Sequence, residues 1–187
     1  MDESVAIDVE DCRRCPALVA SRRRIVNGVG PADADLLFVG EAPGEQEDRD
    51  GEPFVGRSGE LLSETLAEHG LDRDTVRITN SVKCRPPENR DPTGTELANC
   101  RDHLEREIRG VDPVAIVTLG KVPSEHLLGR SVAVTAAAGT TETLVVGDST
   151  YRVLIGLHPA ATLYDPSTRE SFEAVIAEAA AMLRPEQ

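Results

Sequence analysis

Short apolar runs alternate along this chain with segments in which apolar residues recur at helical spacing. Residues 36–39 and 114–119 are continuous apolar runs that end at Gly40 and Gly120, which is typical of buried strands. Between them, residues 61–69 carry an apolar stripe of helical period that stops at Gly70. This stretch predicts a helix with a glycine at its end.

The rest of the chain continues the alternation. The pattern predicts a short strand at 76–79, helices at 95–108, 122–128 and 167–183, and a hairpin that joins 144–146 to 151–156. Strands that alternate with helices favour a mostly parallel sheet covered by helices on both faces. We therefore predict a three-layer α/β/α fold around a central, mostly parallel four-stranded sheet, in one domain spanning residues 1–187.

In sheets of this kind, ligands bind beyond the carboxyl ends of the strands. Applied to the predicted strands, the rule selects residues 40–44, 80–83, 120–121 and 158–159. We expect functional side chains to come from these four segments.

The formal net charge of −13 argues, taken alone, against a nucleic-acid partner. However, lysine occurs only at positions 83 and 121, against 18 arginines, and 33 residues are acidic. Such a composition is typical of a protein adapted to molar salt, and at about 1 M salt the Debye length is only roughly 3 Å. Acidic surface would then hardly repel DNA. An ordinary acidic protein without a nucleic-acid partner remains the alternative at this point.

No apolar run approaches the roughly 20 residues that span a bilayer. The N-terminus, Met1-Asp2-Glu3-Ser4, has neither the basic nor the apolar region of a secretory signal. We expect a cytoplasmic protein with no membrane partner.

The chain has four cysteines, at Cys12, Cys15, Cys84 and Cys100. In a cytoplasmic protein this number indicates a metal site. Disulfides are rare in that compartment, whereas structural zinc and iron–sulfur clusters both use four thiolates. The 15 residues between Cys84 and Cys100 are unlike a zinc knuckle, so the spacing mildly favours iron–sulfur. Four unrelated thiols are the remaining alternative.

Three stretches carry a family resemblance: V-G-E-A-P-G-E-Q-E-D-R-D-G-E-P-F-V-G-R-S-G at 39–59, I-T-N-S-V-K-C-R-P-P-E-N-R at 78–90, and L-H-P-A-A at 157–161. With the four cysteines in the same order, the chain resembles the family 4 uracil-DNA glycosylases, the iron–sulfur branch of that superfamily. The resemblance runs from Cys12 to the C-terminal helix. It implies a uracil-DNA glycosylase-like fold, a [4Fe–4S] cluster on the four cysteines, and removal of uracil from DNA in base excision repair without a covalent intermediate. The cluster would join the N-terminal segment to the loop between Cys84 and Cys100.

A base within a duplex must be flipped out before its glycosidic bond is attacked. Phe54, in a loop between Pro53 and Gly56, offers a stacking face, although a lone Phe is more often core. Asn80 offers an amide that accepts from uracil N3–H and donates to O4, although an Asn at a strand end is often a turn former. The histidine that falls at a predicted strand end is His158, whose hydrogen bond to uracil O2 would stabilise the departing anion.

The resemblance places Glu41 and the backbone of Gly40, Ala42 and Pro43 around the uracil and the attacking water. An anion here would favour the oxocarbenium-like sugar, so Glu41 is predicted to be catalytic together with His158. Glu47 would fill the space beside uracil C5 and exclude thymine. Other branches have Asp or Asn where Ala42 stands, which leaves the identity of any general base open.

DNA contacts require local positive charge on this acidic chain. The residues predicted to contact the DNA backbone or its bases are Arg57, Ser58, Lys83, Arg85, Arg90 and Leu163. The first two open a predicted helix, whose N–H groups can bind a phosphate. Relatives commonly read H-P-x-Y-L-L-R after the histidine, so the trailing Arg is missing here. Leu163 is predicted either to wedge into the vacated base position or to pack on the last helix.

Two other function classes remain. A branch of the superfamily traps uracil-DNA covalently through a His in an inserted basic loop, but residues 85–100 contain no His. An iron–sulfur electron carrier would leave Phe54, Asn80 and His158 without a purpose. We expect a monomer that acts on single- or double-stranded uracil-containing DNA. The sequence does not reveal a sliding-clamp partner.

Overall fold

The computed structural model describes residues 6–183, which form one sheet with helices on both faces. The strands are β1 (Leu36–Gly40), β2 (Arg77–Asn80), β3 (Ala115–Leu119), β4 (Thr141–Val146) and β5 (Ser149–Gly156). The helices are α1 (Pro16–Ser21), α2 (Glu45–Asp50), α3 (Arg57–Glu68), α4 (Gly94–Val111), α5 (Lys121–Leu128), α6 (Val134–Ala137), α7 (Pro159–Tyr164) and α8 (Arg169–Ala181), with 3-10 turns at Pro87–Asn89 and Pro166–Thr168.

The sheet has five strands in the order β2-β1-β3-β5-β4, so the predicted count of four is wrong. Strands β2, β1, β3 and β5 are mutually parallel, and β4 pairs antiparallel with β5. The fifth strand is one arm of the predicted hairpin, which joins the edge of the parallel sheet. Antiparallel edge strands of this kind are common on otherwise parallel sheets.

Two apolar cores lie on opposite faces of the sheet, as the continuous apolar strands predict. One core packs α3 and α8 on the sheet, and the other packs α4 and α5. The predicted helices are confirmed, with ends that differ by a few residues. Helix α4 begins at a capping box, in which Thr93 and Glu96 each bond to the backbone N–H of the other.

The chain reaches β2 across one face and β3 across the other, which makes the carboxyl ends of β1 and β3 a topological switch point. Within residues 6–183, no helix is both long enough and apolar enough to cross a membrane.

Candidate active site

A crevice of about 470 Å³ opens at the carboxyl ends of β1, β2 and β5. It is lined by the predicted residues Glu41, Ala42, Glu47, Phe54, Ser58, Asn80 and His158, and also by Gly44, Asn89, Ala160 and Tyr164. Side chains that are 117 positions apart in sequence, such as Glu41 and His158, therefore share one site.

Gly40 packs directly against two residues that line this crevice, Asn80 and Phe54. A Cβ atom at Gly40 would lie 2.5 Å from the Asn80 Oδ1 and 2.6 Å from the Phe54 Cε2, closer than such atoms approach. Gly120 plays a related part, since a Cβ there would lie 3.1 Å from that of His158. The two glycines that end β1 and β3 thus let functional side chains come close to the sheet.

Phe54 and His158 form the aromatic side of the crevice. Their ring centroids are 5.8 Å apart, with the planes tilted by 33°. Phe54 also belongs to the core under α3, and only 7% of it is exposed. Phe54 therefore packs in the core and also lines the crevice.

The orientation of His158 follows from its position as the N-cap of α7. The Ala160 N–H donates to its Nδ1 at 3.0 Å. Burial lowers the pKa of His158, and the charge of Glu47 opposes this shift. A neutral ring whose Nδ1 accepts a hydrogen bond carries its proton on Nε2. His158 is therefore a neutral donor.

Asn80 ends β2 and is 3% exposed. Among residues 6–183, its side-chain amide has no hydrogen-bond partner within the protein, while it lines the crevice. A buried amide normally satisfies both its donor and its acceptor, so this one is arranged to bind a ligand.

Glu41 follows β1 and is half-buried. Burial raises the pKa of Glu41 to about 7, with further contributions from a hydrogen bond to the Asp91 carboxyl group and from its charge. The backbone of Glu41 is held by the Val82 N–H, which donates to its carbonyl at 3.1 Å. Glu41 thus changes its charge near neutral pH, as a general acid or base does.

Glu47 braces the two loops that flank the crevice. One carboxylate oxygen accepts from the Gly44 N–H at 3.1 Å, and the other accepts from the Val55 and Gly56 N–H groups at 3.3 and 3.4 Å. The carboxylate is therefore fixed in place at the wall. Because it already binds N–H groups at the start of α3, it leaves fewer of them for a phosphate beside Arg57 and Ser58.

The four cysteines line one small cavity next to α1 and α4. Three of their sulfurs receive N–H donors: the Arg22 Nη1 lies 3.1 Å from Cys84, the Asn99 Nδ2 3.6 Å from Cys15, and the His103 Nε2 3.4 Å from Cys12. Burial raises the pKa of the Cys100 thiol to about 11, and burial also raises the pKa of Cys84, which Arg22 opposes. Within the described part of the chain, no three His, Cys, Asp or Glu side chains are arranged to hold a single metal ion.

The prediction that Lys83 contacts DNA is wrong. Its side chain is 2% exposed, and its ammonium group donates to the Glu107 carboxylate at 2.7 Å and to Thr79. Arg77 binds the other oxygen of Glu107, also at 2.7 Å. Lys83 is thus part of a buried ion-pair network beneath Cys84.

The other predicted DNA contacts are at the surface. Arg57 is exposed, and Leu163 is 40% exposed. Arg90 binds both oxygens of Glu96, at 2.9 and 2.7 Å, and Arg85 donates to Asn89 at 2.7 Å. The two arginines thereby stabilise the fold of the segment between Cys84 and Cys100 from within.

The sequence analysis did not select the side chains of Asn89, Asp91 and Tyr164 as site residues. Asn89 adopts a left-handed φ of 56° in the loop after Cys84, and the turn-forming run Asn89-Arg90-Asp91-Pro92 was a signal for it. Tyr164 is 89% exposed at the rim of the crevice, one residue after Leu163. It stands where relatives carry the trailing Arg, and an exposed aromatic in a chain with 3% aromatics was the available signal.

Comparison with known proteins agrees with this geometry. The family model of the uracil DNA glycosylase superfamily matches residues 27–180. The chain is 39% identical to the type-4 uracil-DNA glycosylase of Archaeoglobus fulgidus over 91% of its own length and 87% of the relative's. It is 40% identical to that of Sulfurisphaera tokodaii (91% and 80% covered) and 41% identical to that of Thermotoga maritima (88% and 84% covered).

Proposed function

Because this chain belongs to the uracil DNA glycosylase superfamily, we propose that it hydrolyses the N-glycosidic bond of deoxyuridine in DNA, releasing uracil and leaving an abasic site. The observation that carries the proposal is the convergence of Phe54, Asn80 and His158 in one crevice. The crevice offers a stacking face, a free amide and a neutral N–H donor, which are what a flipped uracil requires.

Uracil is recognised through its Watson–Crick edge. The Asn80 carbonyl oxygen accepts from N3–H, and the Asn80 NH₂ group donates to O4. Cytosine presents the opposite pattern at both positions, because its N3 accepts and its N4 donates. Glu47, held rigidly by three backbone N–H groups, occupies the side of uracil C5 and leaves no space for a thymine methyl group.

Bond cleavage leaves negative charge on the departing base. The Nε2–H of His158 donates to O2, where much of that charge develops, and stabilises it without a proton transfer. A neutral donor suits this task because the ring is buried and bound at Nδ1 by the Ala160 N–H. The donor is therefore oriented before the reaction begins.

Glu41 holds the attacking water and, once ionised, stabilises the positive charge of the sugar. Ala42 has no group that would do either, so the task falls to Glu41 and the backbone of the 40–44 loop. Asp91 is a second carboxyl group beside Glu41, which makes the two a coupled pair.

The rate of uracil release is expected to rise with pH and to level off above an apparent pKa near 7, because Glu41 is protonated below its pKa of about 7 and active when ionised. Glu41→Gln removes this rise and lowers the plateau. Asp91→Asn moves the rise to lower pH, since the carboxyl neighbour that raises the pKa of Glu41 is gone. Single-turnover rates from pH 5 to 9, with the exposed Glu170→Gln as control, measure both effects. A pH profile that Asp91→Asn leaves unchanged would contradict the pairing.

The proposed activity is tested with a uracil-containing oligonucleotide, incubated with the protein and then heated in alkali. Strand breaks at the uracil position are expected. Intact strands at every salt concentration would refute the glycosylase. A protein–DNA band that survives a denaturing gel without alkali would instead indicate the covalent trap.

We further propose that the four cysteines hold a [4Fe–4S] cluster. Four thiols around one cavity fit its donor set. The 15 residues between Cys84 and Cys100 are unlike the short knuckle of a structural zinc site. The N–H donors from Arg22, Asn99 and His103 would stabilise thiolate charge on three of the sulfurs. When bound, the cluster supplies a cross-link between the N-terminal segment and the loop that walls the crevice, so the chain acts as one domain.

Cys100→Ser is expected to abolish the visible absorption of the purified protein and to reduce bound iron from about four atoms per chain. It is also expected to lower the thermal unfolding midpoint, because the buried Cys100 no longer ties α4 to the N-terminal segment. Arg13→Gln, an exposed change in that same segment, serves as the control. Colourless wild-type protein that contains zinc would contradict the assignment.

The acidic surface is interpreted as an adaptation to high salt. In molar salt, contacts that rest on charge alone lose most of their strength. Stacking and apolar contacts keep theirs. Tyr164 at the rim of the crevice and its neighbour Leu163, which is 40% exposed, are placed to touch the bases beside the flipped uracil.

A further inference from the structure

We propose that Arg73 is a positioning residue that holds Phe54 in its uracil-stacking conformation. The inference rests on the proposed function and deepens it. Arg73 lies in the connection between α3 and β2, outside the segments at the strand ends. It acts on the crevice through the backbone of Phe54.

Phe54 adopts an unfavourable backbone conformation. Its φ of 54° lies in the left-handed region, which side chains with a Cβ rarely adopt and which persists only where the surroundings impose it. The conformation turns the ring onto Gly40, with no room for even a Cβ between them. It also brings the ring to 5.8 Å from that of His158.

The surroundings that impose this conformation come from two sides. On one side α3 packs directly against the loop, because a Cβ on Gly59 would lie 1.7 Å from the Phe54 carbonyl oxygen. On the other side the Arg73 guanidinium donates to two successive carbonyls, to Pro53 at 2.5 Å and to Phe54 at 3.1 Å. The planar fork of arginine matches two acceptors of this kind, whereas lysine offers a single point.

Arg73 does not touch the crevice itself. It lines a separate cavity of about 410 Å³ behind Phe54, together with Glu60 and Glu64. Burial lowers the pKa of Arg73, partly offset by Glu52, yet a guanidinium stays charged at neutral pH. A half-buried guanidinium that donates to the carbonyls of Pro53 and Phe54 is placed to orient Phe54 rather than to bind DNA.

Without Arg73, the backbone at Phe54 is free to relax towards a negative φ, which swings the ring away from Gly40 and His158. A displacement of about 1 Å at a reacting group costs on the order of 10²-fold in rate. Arg73→Gln is therefore expected to lower the single-turnover rate by about 10- to 100-fold, and to weaken inhibition by free uracil by a similar factor. Arg73→Lys restores a single donor point, so its rate and its inhibition by free uracil are expected to lie between those of the wild type and those of Arg73→Gln.

The test combines activity with a reporter that does not depend on it. The chain contains three Phe residues, Phe38, Phe54 and Phe172, so protein labelled with fluorophenylalanine gives three ¹⁹F resonances. Phe54→Leu identifies the one from Phe54. Arg73→Gln is expected to shift that resonance and to leave the resonances of the buried Phe38 and Phe172 unchanged. The exposed Arg169→Gln is the control and is expected to change nothing.

The outcomes separate the inference from the proposed function. An unchanged Phe54 resonance in Arg73→Gln overturns the positioning role, whatever the activity. Unchanged inhibition by free uracil, with a rate that falls only in step with the folded fraction, also overturns it. A shifted Phe54 resonance in a protein whose wild type releases no uracil supports the positioning role and refutes the glycosylase.

Discussion

His158→Ala is expected to lower the single-turnover rate of uracil release by about 10²- to 10³-fold, the cost of removing one donor from a developing oxyanion. The Nε2–H of His158 is oriented before cleavage by the Ala160 N–H on its Nδ1. Its contribution therefore arises in the transition state rather than in binding. The dissociation constant for uracil-containing DNA should change by less than the rate.

His69→Gln serves as the matched control, because His69 lies at the end of α3 and binds the Thr65 carbonyl. It should retain the wild-type rate. If His158→Ala weakened DNA binding and rate by the same factor, the histidine would contribute to ground-state binding and not to stabilisation of the leaving group.

The second large effect is expected at Asn80. Asn80→Asp should reduce activity on uracil by about 10⁴-fold, the discrimination reached by sites built to hydrogen-bond their substrate. A carboxylate has no N–H for uracil O4 and places negative charge against it. The same carboxylate accepts from the amino group of cytosine, so a weak activity on cytosine-containing DNA should appear.

Asn80→Ala separates the two effects. It removes the hydrogen bonds to uracil but supplies no acceptor for cytosine, so it should lose activity on uracil and gain none on cytosine. Rates on matched uracil, cytosine and thymine oligonucleotides measure this. Wild-type activity of Asn80→Asp on uracil would show that the amide does not read the base.

The sequence predicted most of the crevice because parallel strands end at one edge of the sheet. Gly40, Asn80 and His158 each end or follow a predicted strand, and that local signal is enough to bring them together. Helices with a clear apolar period, such as α4, were predicted because that signal is local as well. The hairpin was also evident, but whether its first arm joins the sheet depends on pairing with β5, which the local pattern does not specify.

Lys83 shows where such reasoning fails. Lysine is rarely buried unless it is paired, and its partners, Glu107 and Arg77, meet it only in the folded chain. The pairing of Glu41 with Asp91 is equally non-local, because it depends on how the loop after Cys84 folds back. The left-handed φ of Phe54 is imposed by Gly59 and Arg73, whereas local propensity would have predicted a negative φ.

The central claim is that the crevice built on Gly40, Phe54, Asn80 and His158 removes uracil from DNA. The most direct measurement identifies the free base released from matched oligonucleotides that contain uracil, cytosine or thymine, at low and at molar salt. We predict free uracil alone, with activity retained in molar salt, and no base from the other two. Release of no uracil at either salt concentration, or equal release of thymine, would contradict the account.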